Sequence, residues 1–505
     1  MDTPPGRLAP GAFFWYNRVD RQRGDPPLLF VESGAWMGFS SVQFLFVFLP
    51  LALAVYHLLP ARARNGVLAA FSLLFCLWAG VRYALMLAAF ALVHWAFGLA
   101  LARPARPRGL LALAVVLDLA LLAFFKYEGF FAANLNALLP GALPVLELAL
   151  PLGLSFYTFQ GISYCVDVAR GEVAPERNPL RLYLYLAFFA HVSSGPILRY
   201  GDQAAALDPA SAQRRVDADR FAYGIKRFVL GLAKKTLIAD QLALLHGAVA
   251  GTDAAGLPAP ALLLGYAAYA VQLYYDFSGY SDMAVGLGEM FGLTMPENFD
   301  YPFLSRSVGE FWRRWHITLG AWFRRYLYFP LGGSRCSLPR TCLNLLVVFL
   351  ATGLWHGAAW QYLAFGLWHG VWICAERLGL SKLLDRLPRA VSHLYLVLVM
   401  QVGFVFFGAP GLAQALVALR GILAWQAGAP GMTLASFADP KLLLLLAAGI
   451  ALSGPVQALA PKLWGWLRGR AAPGAAGAAV LLLLLLAGIM RSTAGNYTAF
   501  IYFQF

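Results

Sequence analysis

The side chains best suited to chemistry in this 505-residue sequence are histidines set in apolar surroundings. His356 closes an apolar run in Gly353-Leu354-Trp355-His356-Gly357-Ala358-Ala359-Trp360, between glycines that permit close backbone approach and two indoles. An ionisable residue at membrane depth costs free energy that packing does not require, so it marks a functional site by default. Imidazole, with an ordinary pKa of about 6.5, takes and gives protons near neutral pH. A helix-ending histidine bonded to a backbone carbonyl would account for the same local pattern.

The tetrapeptide Leu-Trp-His-Gly recurs at Leu367-Trp368-His369-Gly370, thirteen residues on. That spacing is about 3.6 helical turns, so a continuous helix would put the two histidines on different faces. His356 is taken as the reactive one and His369 as a packing or hydrogen-bonding neighbour. His57, His94, His246 and His393 have no polar cluster beside them in the sequence and read as packing or interface residues.

Forty residues before His356 comes Glu310-Phe311-Trp312-Arg313-Arg314-Trp315-His316, followed by Trp322, Arg324, Arg325 and Tyr326. Tryptophan and arginine interleaved at helical spacing describe a helix in the membrane interface, indoles at headgroup level and guanidiniums reaching water or phosphate. Such a helix explains the tryptophans and arginines without catalysis, and explains His316 less well. A third group is Tyr274-Tyr275-Asp276-Phe277-Ser278-Gly279-Tyr280-Ser281-Asp282. Its two acids, inside a long apolar segment, need partners or a wet cavity: pairing with the arginines of 313–325, or holding an acceptor sugar. Glycines 286, 288 and 292 do not make a GxGxxG and follow no strand, so a nucleotide-binding fold is excluded.

The elements that must position these groups are membrane helices. The chain is 60% hydrophobic and 13% charged, against about 25% charged in soluble domains. Apolar runs at 41–59, 65–81, 83–102 and 109–125 approach the ~20 residues that cross a bilayer. Residues 143–168, broken by Pro144, Pro151 and Gly153 and carrying Ser155, Tyr157, Thr158 and Gln160, should bend into the interior. Further runs to residue 490 bring the expectation to about 11–13 membrane segments, with no fixed-period repeat. The net charge of +14 sits between apolar runs, as at Arg62, Arg64, Arg103, Arg106 and Arg108. That is the positive-inside pattern rather than a nucleic-acid surface, and it puts the N-terminus outside. Five cysteines without a CxxC pair indicate neither a disulfide framework nor a metal site. Residues 1–36, rich in Pro, Gly and Arg, read as an unstructured leader, with Met37 the expected initiator of a membrane domain over 37–505.

Taken together these stretches resemble the membrane-bound O-acyltransferase (MBOAT) superfamily, in particular its branch that O-acetylates exported polysaccharides such as alginate. The resemblance is carried by Phe39-Ser40-Ser41 with Phe44-Leu45-Phe46, Pro151 to Gln160, Gly195-Pro196-Ile197-Leu198-Arg199, Lys234-Lys235 with Ile238-Ala239-Asp240, Tyr275 to Asp282, Asn298-Phe299, Phe311 to His316, Trp355-His356-Gly357 and Phe500 to Phe505. One departure is Ala190 before His191, where relatives place proline.

The resemblance implies an all-α polytopic membrane protein, its helices ringing a central funnel with re-entrant and interfacial segments, multi-pass in a bacterial inner membrane. It implies that His356 is the superfamily's invariant histidine and His316 its second conserved polar position. Asp276, Tyr280, Asp282, Arg313, Arg314 and Trp355 are the expected substrate-binding residues. The implied donor is acetyl-CoA or another acetyl thioester, with no bound cofactor. The implied acceptor is an exported polysaccharide, reached directly or through a periplasmic acetyltransferase partner. D-alanyl or other acyl transfer to an envelope polymer is the neighbouring alternative. A transporter is the alternative of another class; it calls for inverted repeats with broken helices in corresponding halves, and the sequence has none.

Overall fold

The computed structural model describes residues 37–103, 108–146, 148–460, 462, 465–466, 469, 474–493 and 500. The expected leader 1–36 and the end of the terminal Phe500 to Phe505 motif lie outside the described residues.

Among those residues the chain is helical, without a strand longer than a single bridge. Helices of seven residues or more are α1 Leu49–Leu58, α2 Arg64–Ala79, α3 Val81–Leu101, α4 Arg108–Leu138, α5 Leu154–Ala169, α6 Pro179–Ala187, α7 Ala218–Ala233, α8 Asp240–Ala250, α9 Ala259–Met290, α10 Val308–Arg314, α11 Ile317–Phe323, α12 Leu338–His356, α13 Trp360–Ala375, α14 Arg389–Gly408, α15 Leu412–Leu423, α16 Pro440–Leu452 and α17 Ala475–Thr493. By length and composition five of them, α3, α4, α12, α14 and α17, can cross a membrane. Several other expected spans are shorter, such as α2 and α5 at 16 residues and α16 at 13.

Local signals set the helix starts. Asn178 accepts from the Leu180 N–H at 2.9 Å with Pro179 at the first position of α6, and Asp217 caps α7 through the Arg220 N–H at 2.8 Å. Gly153, with φ of +71°, ends the irregular segment before α5, and a Cβ there would stand 1.9 Å from the Val192 carbonyl oxygen. Only glycine allows that approach. From it α5 enters the interior, where Leu154 to Cys165 are all buried. The sequence pattern predicted this turn inward.

The central element is α9, 32 residues long and buried along most of its length. It runs antiparallel to α7, and the two backbones touch at glycines. A Cβ on Gly231 would be 2.4 Å from the Gly279 oxygen, and one on Gly286 would be 2.5 Å from the Gly224 oxygen. Small residues at the crossing are how helices pack closely in lipid. Ion pairs follow the same spacing: Arg220–Glu289 and Arg227–Asp282 at 2.5 Å, Lys234–Asp282 at 2.6 Å and Lys235–Asp276 at 2.5 Å. Positions 220, 227 and 234 recur every seven residues, about two helical turns, so they lie on one face. Two apolar cores flank this spine, one around α1–α6 and one between α9, α10–α15 and α16.

Two helical expectations change. The fourth apolar run continues past residue 125 through Lys126-Tyr127-Glu128 to Leu138, because those polar side chains find partners across the fold. The Trp and Arg block is two short helices rather than one, broken at Trp315-His316, where His316 takes the left-handed φ of +47°.

Candidate active site

His356 is the last residue of α12, and the glycines around it set its place. A Cβ on Gly353 would stand 2.3 Å from the Tyr362 carbonyl oxygen, and one on Gly357 would stand 2.2 Å from the Tyr362 ring. The α12–α13 hairpin is therefore closed tightly about the histidine. The imidazole is 3% exposed and collared by rings, Trp355 and Phe407 at 5.0 Å and Phe365 at 5.9 Å. Its chargeable neighbours are His316 and Lys126.

His316 reaches the same place from the break between α10 and α11. Its ring lies edge-on to Phe277 at 4.6 Å and to Trp355 at 5.8 Å. Its Nδ1 is 3.3 Å from Asn298 Oδ1. The loop ahead of α10 runs alongside in a strand-like pairing: Phe299 bridges Trp315, Asp300 N–H donates to the Arg314 oxygen at 2.9 Å, and Ile317 N–H donates to the Asn298 oxygen at 3.0 Å. These bonds hold a non-glycine residue at positive φ, a strain that concentrates at working sites. α10 is anchored by Glu376, whose carboxylate accepts from the N–H groups of Val308 at 2.6 Å and Gly309 at 2.9 Å, an acid at a helix start.

A cavity of about 570 Å³ opens against these short helices. Its wall includes His316, Trp315, Trp312, Arg313, Arg324 and Arg377, so it carries two indoles and three guanidinium side chains. His356 is not part of that wall; both it and His316 lie against Trp355.

The structure thus brings together His356, His316 and Trp355, with Arg313 on the cavity that His316 lines. The other predicted residues stand apart. Asp276 is paired with Lys235 at 2.5 Å, both almost fully buried, and Asp282 with Arg227 and Lys234. The partners of these acids lie on and just beyond α7 rather than in the 313–325 block. Tyr280 Oη is 2.5 Å from Ser193 Oγ and its ring stacks on Phe39 at 4.9 Å. Arg314 turns to Glu310 at 3.0 Å and Asp300 at 3.6 Å. His369 is sealed in packing, its ring against Phe365 at 4.7 Å and Trp312 at 5.1 Å.

Two residues of the site carried no role in the sequence reading. Lys126, in the middle of α4, donates to the carbonyl oxygen of Trp355 and lies 5.7 Å over its ring. An intramembrane lysine is itself the signal that would have found it. Asn298 stands out in the sequence only within the Asn298-Phe299 stretch. Outside the site, His94 is not the isolated packing residue expected, since its Nε2 is 3.0 Å from Asp118 Oδ2, both buried.

The family model described as MBOAT, membrane-bound O-acyltransferase family, matches residues 176–412, which hold both histidines. A protein of Azotobacter vinelandii described as "Probable alginate O-acetylase AlgI" is 36% identical, the comparison covering 93% of this chain and 100% of the relative. One of the same description from Pseudomonas putida is 38% identical over the same shares. A "Peptidoglycan O-acetyltransferase" of Helicobacter pylori is 32% identical over 76% of this chain and 79% of the relative. With these likenesses over nearly its whole length and paired histidines converging on one aromatic site, the chain belongs to the membrane-bound O-acyltransferase family and is an O-acyltransferase.

Proposed function

We propose that this enzyme moves an acetyl group from a cytoplasmic thioester for the O-acetylation of an exported, alginate-like polysaccharide, directly or through a periplasmic acetyltransferase partner, in a bacterial inner membrane. The observation that carries the reading is the convergence of His316 and His356 on Trp355, with His316 in the wall of the 570 Å³ cavity. The relatives' described activities on alginate and peptidoglycan support a polysaccharide acceptor.

A sugar hydroxyl is a poor nucleophile at neutral pH. In the proposed step His356 accepts the hydroxyl proton as the oxygen bonds to the thioester carbonyl carbon, a contribution worth about 10²–10⁴-fold. The carbon–sulfur bond then breaks, and the proton passes to the departing thiolate, so no co-reactant is needed. His316 orients the donor or stabilises the oxyanion; losing one oxyanion donor costs about 3–4 kcal/mol. Arg313, Arg324 and Arg377 suit the phosphates of a coenzyme A or carrier-bound donor. Asp276, Tyr280, Asp282, Arg314 and Trp355 are the remaining proposed substrate contacts, Trp355 as the indole that both imidazoles touch.

The test is transfer of radiolabelled acetyl from acetyl-CoA by purified enzyme in sealed vesicles, supplied with polymer and partner on the opposite face. Label appearing in the polymer supports the reading. Polymer left unlabelled while D-alanine is incorporated from a carrier would replace it with the neighbouring alternative.

A further inference from the structure

We propose that Asn298 is a positioning residue that fixes the tautomer of His316, with the proton on Nδ1 and Nε2 left as the acceptor nitrogen. The proposal rests on the reading of His316 as a working residue of the transfer site, and it decides which nitrogen does the work.

The directions of four hydrogen bonds carry the argument. The backbone N–H of Ile197 can only donate, and it donates to Thr318 Oγ1 at 3.0 Å. Thr318 Oγ1 lies 3.0 Å from Asn298 Oδ1, and the backbone N–H of Thr318 reaches the same oxygen at 3.1 Å. A backbone N–H facing the amide requires an acceptor there, so the carbonyl oxygen of Asn298 must point this way. Turning the amide over would set its NH2 against a donor. His316 Nδ1 is 3.3 Å from that same oxygen. An oxygen that offers only lone pairs can bond the ring only if Nδ1 carries a proton. In the neutral ring Nε2 then holds a lone pair.

Asn298 has little freedom to do otherwise. Its carbonyl accepts the Ile317 N–H at 3.0 Å, and the strand-like pairing of Phe299 with Trp315 continues from it. Its side chain is 1% exposed, and Nδ2 finds no acceptor among the described residues, so the amide acts through its oxygen. The same oxygen ties the site to the Gly195-Pro196-Ile197 turn through Thr318. Outer groups of this kind orient the ring that does the chemistry.

The consequence for mechanism is specific. A resting His316 with its proton on Nδ1 cannot donate to an oxyanion through Nε2. Of the two roles put forward for it, orienting the donor by accepting one of its N–H or O–H groups is the one this tautomer allows.

The experiment is nitrogen NMR of the full chain in lipid bilayers, with ¹⁵N-labelled histidine. The His316 signals are identified by their loss in His316→Gln. The wild type and Asn298→Asp, which keeps an oxygen in place, should give the Nδ1–H tautomer, and Asn298→Ala should lose it. Turnover should fall about tenfold or more in Asn298→Ala and recover in Asn298→Asp. An Nε2–H signal in the wild type overturns the proposal, and so does an unchanged signal in Asn298→Ala. Should the tautomers come out as expected while His316→Ala transfers acetyl normally, it is the reading of His316 as a working residue that fails.

Discussion

Lys126 donates through Nζ to the carbonyl oxygen of Trp355, the residue immediately before His356. Its neighbour Tyr127 donates to the Leu354 oxygen at 2.6 Å, so two successive residues of α4 satisfy two of the last carbonyls of α12. Those carbonyls have no partner within their own helix, and a cation at a helix C-terminus is favourably placed. The N-terminal helices therefore reach the site through the backbone that presents His356.

Replacing Lys126 by Met should remove that tie and leave a carbonyl unsatisfied, at a cost of about 1–3 kcal/mol. Acetyl transfer should fall at least about tenfold at matched membrane abundance, since a misplacement of about 1 Å can cost 10²-fold. Lys126→Arg, which keeps a donor and the charge, should retain part of the activity. Equal turnover in Lys126→Met and wild type would reduce the contact to packing.

The ion pairs between α7 and α9 predict an asymmetry. Lys235 is held by Asp276 at 2.5 Å and Asp240 at 2.8 Å, all three buried. Lys235→Met removes the cation between two buried carboxylates and should destabilise by about 3–5 kcal/mol, read as a lowered unfolding temperature in detergent. Asp276→Asn leaves the lysine with Asp240 and should cost less. If Asp276→Asn unfolds as readily as Lys235→Met, the pairing has been misassigned. If it folds normally and loses transfer, Asp276 contacts substrate as proposed.

Gly353 faces the Tyr362 carbonyl, where a Cβ would come within 2.3 Å of a backbone atom that cannot swing aside. Gly353→Ala should open the α12–α13 hairpin and cost about 1–3 kcal/mol by overpacking. Thermal unfolding of the purified variant checks this. Wild-type stability would show that the hairpin accommodates the methyl.

The two Trp-His-Gly motifs should separate cleanly. His369 lies in packing between Trp312 and Phe365, and Phe365 also lies against His356, at 5.9 Å. His369→Ala should lose stability through the cavity it leaves while keeping transfer near normal at matched abundance. A loss as deep as that of His316→Ala would move it into the site.

Much of the architecture was legible because hydropathy and length speak locally. The first three N-terminal runs became helices within a few residues, the fourth began within one, and Gly153 turned α5 inward as its neighbours suggested. The misses are non-local. Apolar periodicity ended the fourth run at Lys126, because nothing nearby shows that carbonyls 227 and 229 residues away along the chain would satisfy the Tyr127 and Lys126 side chains. The break at His316 is invisible to propensity, since it is imposed by Asn298, 18 residues earlier. Asp276 and Asp282 were correctly read as needing partners, yet those sit 41 to 55 residues back, on or just beyond α7. His356 was singled out because its imidazole, between glycines, closes an apolar run, where an ionisable group costs free energy that packing does not require.

The most direct measurement is acetylation by His356→Ala in sealed vesicles, with unfolding temperature and membrane abundance matched to the wild type. Transfer should fall by at least about 10², the lower bound for losing a general base. Near-normal transfer by a folded His356→Ala protein would contradict the assignment of the chemistry to this residue.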